Sequence, residues 1–215
     1  MKATLRLSPI HDYLQSLKGN WCDINGMPTL VELEQNYATC LGIADRSCLT
    51  RFGVKGANAA QWLLSQDLPI PERPNSWLPL AEGGIIARLG LTEFLIEDSL
   101  NSAIAAQLSK ACQSPPAKVY PVLRQDLALV LVGDRVPDLL RETCSFNFQE
   151  INICDRPVVL TSMIGVSVMI VPDERDNRPY YRVWCDGTFG RYFWKTIVEI
   201  AAELGGGAIG SDIVL

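Results

Sequence analysis

The stretch RFGVKGANAAQWLL, Arg51 to Leu64, returns 77 positions later as ALVLVGDRVPDLLR, with no gap between them. This register puts Gly56 on Gly133, Val54 on Leu131, Ala59 on Val136, Trp62 on Leu139 and Leu63 on Leu140. In each copy an apolar run with β-branched members feeds a glycine. Apolar residues then recur at i, i+3 and i+4, which places them on one helical face. Each copy therefore reads as a strand followed by a helix. Pro137 is compatible with the second helix because a first turn has no intrahelical N–H bonds to lose. A glycine before an amphipathic helix is a common junction, so the repeat gains its weight from the elements downstream of it.

The downstream segments correspond as well. GGIIARLGLTEFLIED (Gly83 to Asp98) reads as two strands interrupted near Gly90, and PVVLTSMIGVSVMIVP with PYYRVWC offers two again. Each half then closes with a helix, on a stripe of Leu100, Ile104 and Leu108 in the first. Phe193, Ile197, Ile200, Ala201 and Leu204 make the stripe in the second. Strand, helix, strand, strand, helix in each half predicts an α+β fold of two pseudo-symmetric lobes of the ferredoxin-like, split βαβ kind. A central pocket is expected between such lobes. The expected organisation is an N-terminal extension over 1–41, a first lobe over 42–116, a second over 117–205 and a flexible tail over 206–215. LPIPERPNSWLP reads as a rigid extended connection, PDERDNRP as a charged hairpin tip, and GGGAIGSDIVL as a mobile end.

With 215 residues and 48% of them apolar, the chain can bury a substantial core without staples. A net charge of -5 gives no electrostatic reason to hold nucleic acid or an anionic membrane. No apolar run approaches the roughly 20 residues of a membrane span, and the first residues lack a signal-peptide pattern, so a cytoplasmic protein is expected. The seven cysteines are scattered without a C-x-x-C pair, which fits reduced core thiols better than disulfides or zinc. The single histidine, His11, precedes any regular pattern and reads as an exposed polar residue. No glycine-rich phosphate loop, paired acidic motif or metal motif is present in the sequence.

The densest polar and aromatic stretch is RPYYRVWCDGTFGRYFW, Arg178 to Trp194. Its candidate ligand-binding residues are Tyr181, Arg182, Asp186, Thr188 and Arg191. Aromatic faces stack flat heterocycles, Asp186 suits the N–H groups of a pterin-like ring, and Arg182 or Arg191 suits an anionic tail. The competing reading puts Tyr181 and Val183 on one strand face, Phe193 in the helical stripe, and Asp186 and Thr188 in a turn and N-cap.

The order GIADRS, RFGVKGANAAQWLL, GGII, ALVLVGDRVPDLL, CSFNF, VVLTSMIGVSVMI and TFGRYFWKTIVEIAAELGG resembles the gamma subunit of heterotetrameric sarcosine oxidase. It resembles more distantly the T-protein (aminomethyltransferase) of the glycine cleavage system. The similarity runs from about Gly42 to Gly206. It implies a folate-binding fold of two lobes around a central pocket, a tetrahydrofolate-type ligand and protein partner subunits. It also implies, for T-proteins, an aspartate on the strand after the glycine pair; here that stretch is Gly83-Gly84-Ile85-Ile86-Ala87-Arg88, with no carboxylate until Glu93. The pterin-holding glutamate of the T-protein Gly-Tyr-Thr-Gly-Glu motif is unmatched too, and the Lys-Gly-Cys signature of T-protein-like folate proteins tied to iron–sulfur cluster maintenance is not found. Three readings are open: a noncatalytic folate binder or accessory subunit in one-carbon metabolism, a one-carbon transferase using another carboxylate such as Glu93 or Glu97, and a structural partner whose contacts lie around Trp77 or the GGGAIG tail.

Overall fold

The computed structural model describes residues 6–213; the first five residues of the expected N-terminal extension and the last two of the expected tail lie outside it. Helix α1 (His11–Leu14) precedes a hairpin of β1 (Gly19–Ile24) and β2 (Met27–Leu33). Asn25 and Gly26 close that hairpin with φ of 52° and 73°, the left-handed pair that a two-residue hairpin turn demands. Strands β3 (Gly42–Asp45) and β4 (Arg51–Lys55) are followed by α2 (Ala59–Leu64), β5 (Ser76–Pro79), β6 (Ile85–Leu89), β7 (Glu93–Glu97) and α3 (Ile104–Ala111). Then come β8 (Tyr120–Val122), β9 (Leu127–Val132), α4 (Val136–Thr143), β10 (Val159–Met163) and β11 (Val166–Arg175). Strand β12 (Arg178–Cys185), α5 (Gly190–Glu203) and the short β13 (Gly207–Ala208) complete the order.

The chain divides into two units. The larger holds the residues up to Cys48, Gln125–Ile153 and those from Val159 on; the smaller holds Leu49–Arg124 and Cys154–Val158. The larger unit's main sheet runs β10-β11-β12-β9-β3-β13, and the smaller unit's sheet runs β5-β6-β7-β4-β8. In the smaller unit β7 lies between β4 and β6 and pairs antiparallel with both, which is the split βαβ arrangement. In the larger unit β12 lies in the same way between β9 and β11. The mixed α+β class holds.

Each unit's sheet has more strands than the sequence pattern suggests, with β5 and β10 at an edge. Strand β5 lies inside the proline-rich connection: Pro79 donates no N–H, but its place at an edge leaves no ladder bond unmade. Strands β10 and β11 read as one in the sequence, because Ile164 and Gly165 turn the chain inside a single apolar run, at φ of 47° and 79°.

A further strand of the same unit fills the position beside β4 in the smaller unit and beside β9 in the larger one. Strand β8 pairs antiparallel with β4, and β3 pairs antiparallel with β9. The repeat glycines explain how the chain passes these junctions. Gly56 (φ 126°) and Gly133 (φ 109°) both hold conformations that L-residues avoid. A Cβ would stand 2.1 Å from the Lys118 carbonyl oxygen at Gly56 and 2.5 Å from that of Cys40 at Gly133. Those two carbonyls accept from Asn58 N–H (3.3 Å) and Arg135 N–H (2.9 Å), which are themselves corresponding positions.

The larger unit's core joins Leu127, Leu129 and Leu131 of β9, Val183 of β12, and Phe193, Trp194, Ile197 and Ala201 of α5. Each large apolar side chain among these contributes about 1.5–3 kcal/mol by leaving water. Ile10, Leu14 and Leu30 belong to the same cluster, so the N-terminal segment is part of this core and not an appendage. The tail expected to be flexible pairs in parallel with β3. Its glycines serve close packing: a Cβ at Gly206 would meet the Leu41 carbonyl oxygen at 2.4 Å and one at Gly210 that of Val31 at 2.0 Å. Ile209 is 3% exposed. The smaller unit buries Phe52, Val54, Trp62, Leu63, Ile86, Phe94, Ile96 and Leu108 together. Leu100, expected in the α3 stripe, precedes that helix and is exposed.

Candidate functional site

Strand β3 ends in a turn that places an arginine with care. Asp45 Oδ1 accepts from the Ser47 N–H at 2.9 Å, and Ser47 Oγ accepts from the Ala128 N–H at 3.1 Å. Arg46 N–H donates to the Ala128 carbonyl at 2.8 Å. This Asx-type turn, stitched to the start of β9, holds the Arg46 side chain at 3% exposure. Its guanidinium donates to the Tyr180 hydroxyl.

Tyr180 collects further cations. The Arg175 guanidinium carbon stands 3.9 Å from the Tyr180 ring centroid and that of Arg182 5.3 Å, both within cation–π range. Asp173, directly opposite Tyr180 across the β11–β12 ladder, places Oδ2 3.6 Å from Arg182 Nη1. Three guanidiniums and one carboxylate thus surround one phenol. Ala44, Val130, Val132 and Ile209 form the apolar ground on the same sheet face. Tyr180, Arg46 and Arg182 are each 3% exposed, so the half-buried Arg175 is the member of the cluster that an anionic group would reach, through charge-assisted hydrogen bonds.

Of the five residues predicted from sequence, Arg182 alone belongs to this cluster. Tyr181 faces the other side of the sheet, in the core with Val183 and Cys185, since successive strand residues alternate. Asp186 and Thr188 lie beyond the strand end. There the Asp186 carboxylate accepts from the Thr188 N–H (2.8 Å) and hydroxyl (2.7 Å), bonds that hold its carboxyl below the usual range. Arg191 is exposed and pairs with Asp12. The apolar phase Tyr181, Val183, Cys185 is the signal in the sequence that Tyr180, not Tyr181, accompanies Arg182. Arg46 lies within the GIADRS stretch, but nothing in that stretch announces its burial.

In the smaller unit, Ala87 of β6 is fully buried and pairs with Leu95. The nearest acidic residues are engaged. Glu97 accepts from Arg51 at 2.7 Å, and Glu93 accepts from Arg124 at 2.7 Å. Asp98, 2% exposed, accepts from Ser102 Oγ at 2.7 Å and the Ala105 N–H at 3.0 Å, capping α3.

Among the described residues no group of histidine, cysteine and carboxylate side chains is placed to hold a metal, and no helix is long and apolar enough to cross a membrane. None of the seven cysteines is joined in a disulfide; Cys22 and Cys154 are exposed, and Cys48, Cys112 and Cys185 are buried. Burial, reinforced by Asp126 and Asp186, pushes the Cys185 thiol up to about 12. It is thus no nucleophile near neutrality. His11 opens α1, with Gln15 at 2.9 Å and the Trp21 ring edge-on to it. Trp77, expected with the tail to form an apolar contact patch, is 7% exposed, beneath the Arg156 guanidinium.

No protein-family model matches the sequence, and no curated protein matches it. Solved structures do. The glycine cleavage system aminomethyltransferase T of Bartonella henselae superposes with a TM-score of 0.76 at 13% identity, over 97% of this chain and 60% of that one. A chain of the heterotetrameric sarcosine oxidase of Corynebacterium sp. U-96 superposes with a TM-score of 0.67 at 17% identity, over 94% of this chain and 97% of that one. The chain thus has the aminomethyltransferase T fold and spans 60% of that protein's length, while it matches nearly the whole of the sarcosine oxidase chain.

Proposed function

We propose that the chain is a noncatalytic member of the folate-binding fold in one-carbon metabolism, either a tetrahydrofolate binder or an accessory subunit of a cytoplasmic oxidoreductase or transferase. The observation that carries this reading is Ala87. The resemblance implies an aspartate in this strand to assist aminomethyl transfer, and a buried methyl group cannot take or give a proton. Glu93 and Glu97, examples of the carboxylates that an active transferase would use instead, are each paired with an arginine. The near-complete overlap with a sarcosine oxidase chain, from a protein that is a heterotetramer, supports the accessory-subunit form.

In the binder form, the anionic tail of the folate lies against Arg175, the half-buried member of the cluster, with the buried Tyr180 and Arg182 supporting it from beneath. Asp186, Thr188 and Arg191 then act at the end of β12 as supports, and Tyr181 as a core residue behind the sheet. Calorimetric titration with tetrahydrofolate and 5-formyltetrahydrofolate, with tryptophan emission alongside, is the test. Saturation at micromolar concentration, about -8 kcal/mol, is expected. Arg175→Gln should weaken it by roughly tenfold, the scale of one charged hydrogen bond. No saturable heat with either folate refutes the binder form. Co-purification from the native cell, read as a mass above the monomer, tests the accessory-subunit form.

A further inference from the structure

We propose that the larger unit carries a second ligand site, a pocket beside α4 that takes a small planar aromatic acid. The cavity measures about 390 Å³. That lies within the range of roughly 300–1,000 Å³ typical of small-molecule sites. It lies on the helix-bearing face of the sheet, the face of Tyr181, and so is separate from the arginine cluster around Tyr180.

Three aromatic rings step inward through it. Phe146 is 40% exposed and stands edge-on to Phe148, with centroids 5.1 Å apart at 66°. Phe148 in turn meets the Tyr181 ring at 5.7 Å and 59°, and Tyr181 is 6% exposed. Leu140 and Cys144 of the α4 end complete the apolar lining. One pair is edge-on and the other tilted, and a lining of three rings favours a flat aromatic guest over a branched aliphatic one.

The walls are preformed. Ser145 N–H donates to the Ser162 carbonyl at 3.1 Å, and the two serine hydroxyls are 2.9 Å apart. Asn147 Oδ1 accepts from the Gln149 N–H at 3.1 Å, while its amide donates to Glu150 at 2.9 Å. The aromatic segment is thus tied to β10 and to its own short turn before any guest arrives.

Arg141 supplies the charge. It donates to Asp138 at 2.8 Å, but Arg135 pairs with that same carboxylate. Asp138 is held below the usual carboxylate range chiefly by the Arg135 hydrogen bond. One anion is shared by two guanidiniums, and a guanidinium has five N–H donors. Arg141, 63% exposed, therefore keeps donors for an incoming carboxylate at the pocket.

Indole-3-acetate is the probe, with indole lacking the charge and hexanoate lacking the ring, each titrated into the full chain and followed by amide chemical shifts. Saturable shifts over Ser145–Gln149 and the end of α4 are expected. Arg141→Gln should weaken indole-3-acetate about tenfold and leave indole unchanged; Phe146→Ala should weaken both by a similar factor. Both side chains are exposed, so the variants keep the fold, which circular dichroism checks. The proposal is overturned if no saturable shift arises in this segment at millimolar probe, if indole and indole-3-acetate bind alike, or if neither substitution alters binding. Phe146→Ala should leave the tetrahydrofolate titration unchanged, so failure of folate binding and failure of this site are read separately.

Discussion

Removing Arg51 while leaving Glu97 in place should be among the most damaging single changes in the smaller unit. The two face each other in register across β4 and β7, Nε to Oε2 at 2.7 Å, with side chains 1% and 4% exposed. An exposed ion pair contributes about 0–1 kcal/mol, but stripping one partner from a buried pair costs about 3–5 kcal/mol because a charge is stranded. The exposures place this pair in the second regime. Arg51→Met should therefore lower the urea midpoint by roughly 1.5–2.5 M, taking a denaturant slope near 2 kcal/mol/M. Arg51→Met with Glu97→Met removes both charges and should recover most of the loss, as a buried pair exchanged for apolar groups often does. Arg73–Asp155, with side chains 67% and 57% exposed, is the internal control. Arg73→Met should change stability by less than about 1 kcal/mol. Urea melts followed by circular dichroism decide the matter. Less than about 1 kcal/mol lost in Arg51→Met, or a double variant no better than the single, refutes the reasoning.

Gly56→Ala and Gly133→Ala should each destabilise by at least about 1–3 kcal/mol from backbone strain alone, with the carbonyl clash adding to it. Gly26→Ala, at φ 73° with nothing near its Cβ, should cost about 1–2 kcal/mol by comparison. Thermal melts of the three rank them. Iodoacetamide at pH 8 should label Cys22 and Cys154 in the native protein and spare Cys185 until it is denatured, as mass spectrometry of tryptic peptides will show. The raised Cys185 pKa also fixes a sign. Below the ordinary thiol value of 9.0 both states are protonated; between there and about 12 only the unfolded chain ionises. The thiol's contribution to stability is therefore lost as pH rises through that window, and Cys185→Ala should flatten the decline. An unchanged slope in the variant would count against the assignment.

The fold is legible in the sequence where one face of an element is apolar and the other is not. The helices of both halves and β4, β6, β7, β9 and β12 emerge from periodicity and the glycine junctions. The features that escape such reading are set by edges and by partners distant in the chain. Strand β5 hides among prolines that only an edge tolerates. The glycine run after α5 looks mobile until Leu41 and Val31 are seen pressing on it. In the candidate site, choosing Tyr181 over Tyr180 neglects strand alternation, although Val183 and Cys185 mark the core phase. Arg46 is beyond reach for a different reason: its burial depends on Ala128 and Tyr180, and no local pattern reports contacts of that range.

The place of β3 in the larger unit, far in sequence from its partner, bears on the order in which a ribosome delivers the chain. Strand β3 leaves the exit tunnel before its antiparallel neighbour β9 has been synthesised, and the whole of Leu49–Arg124 is made in between. At roughly 5–20 residues per second, that wait is on the order of 10 s. The smaller unit, by contrast, receives β8 immediately after its own last helix and lacks only Cys154–Val158. Its sheet is free to close while β3 and the apolar Ile10, Leu14 and Leu30 still have no sheet to join. The nascent chain therefore carries β3 without its β9 partner for seconds, and that interval is where a holding chaperone would meet it.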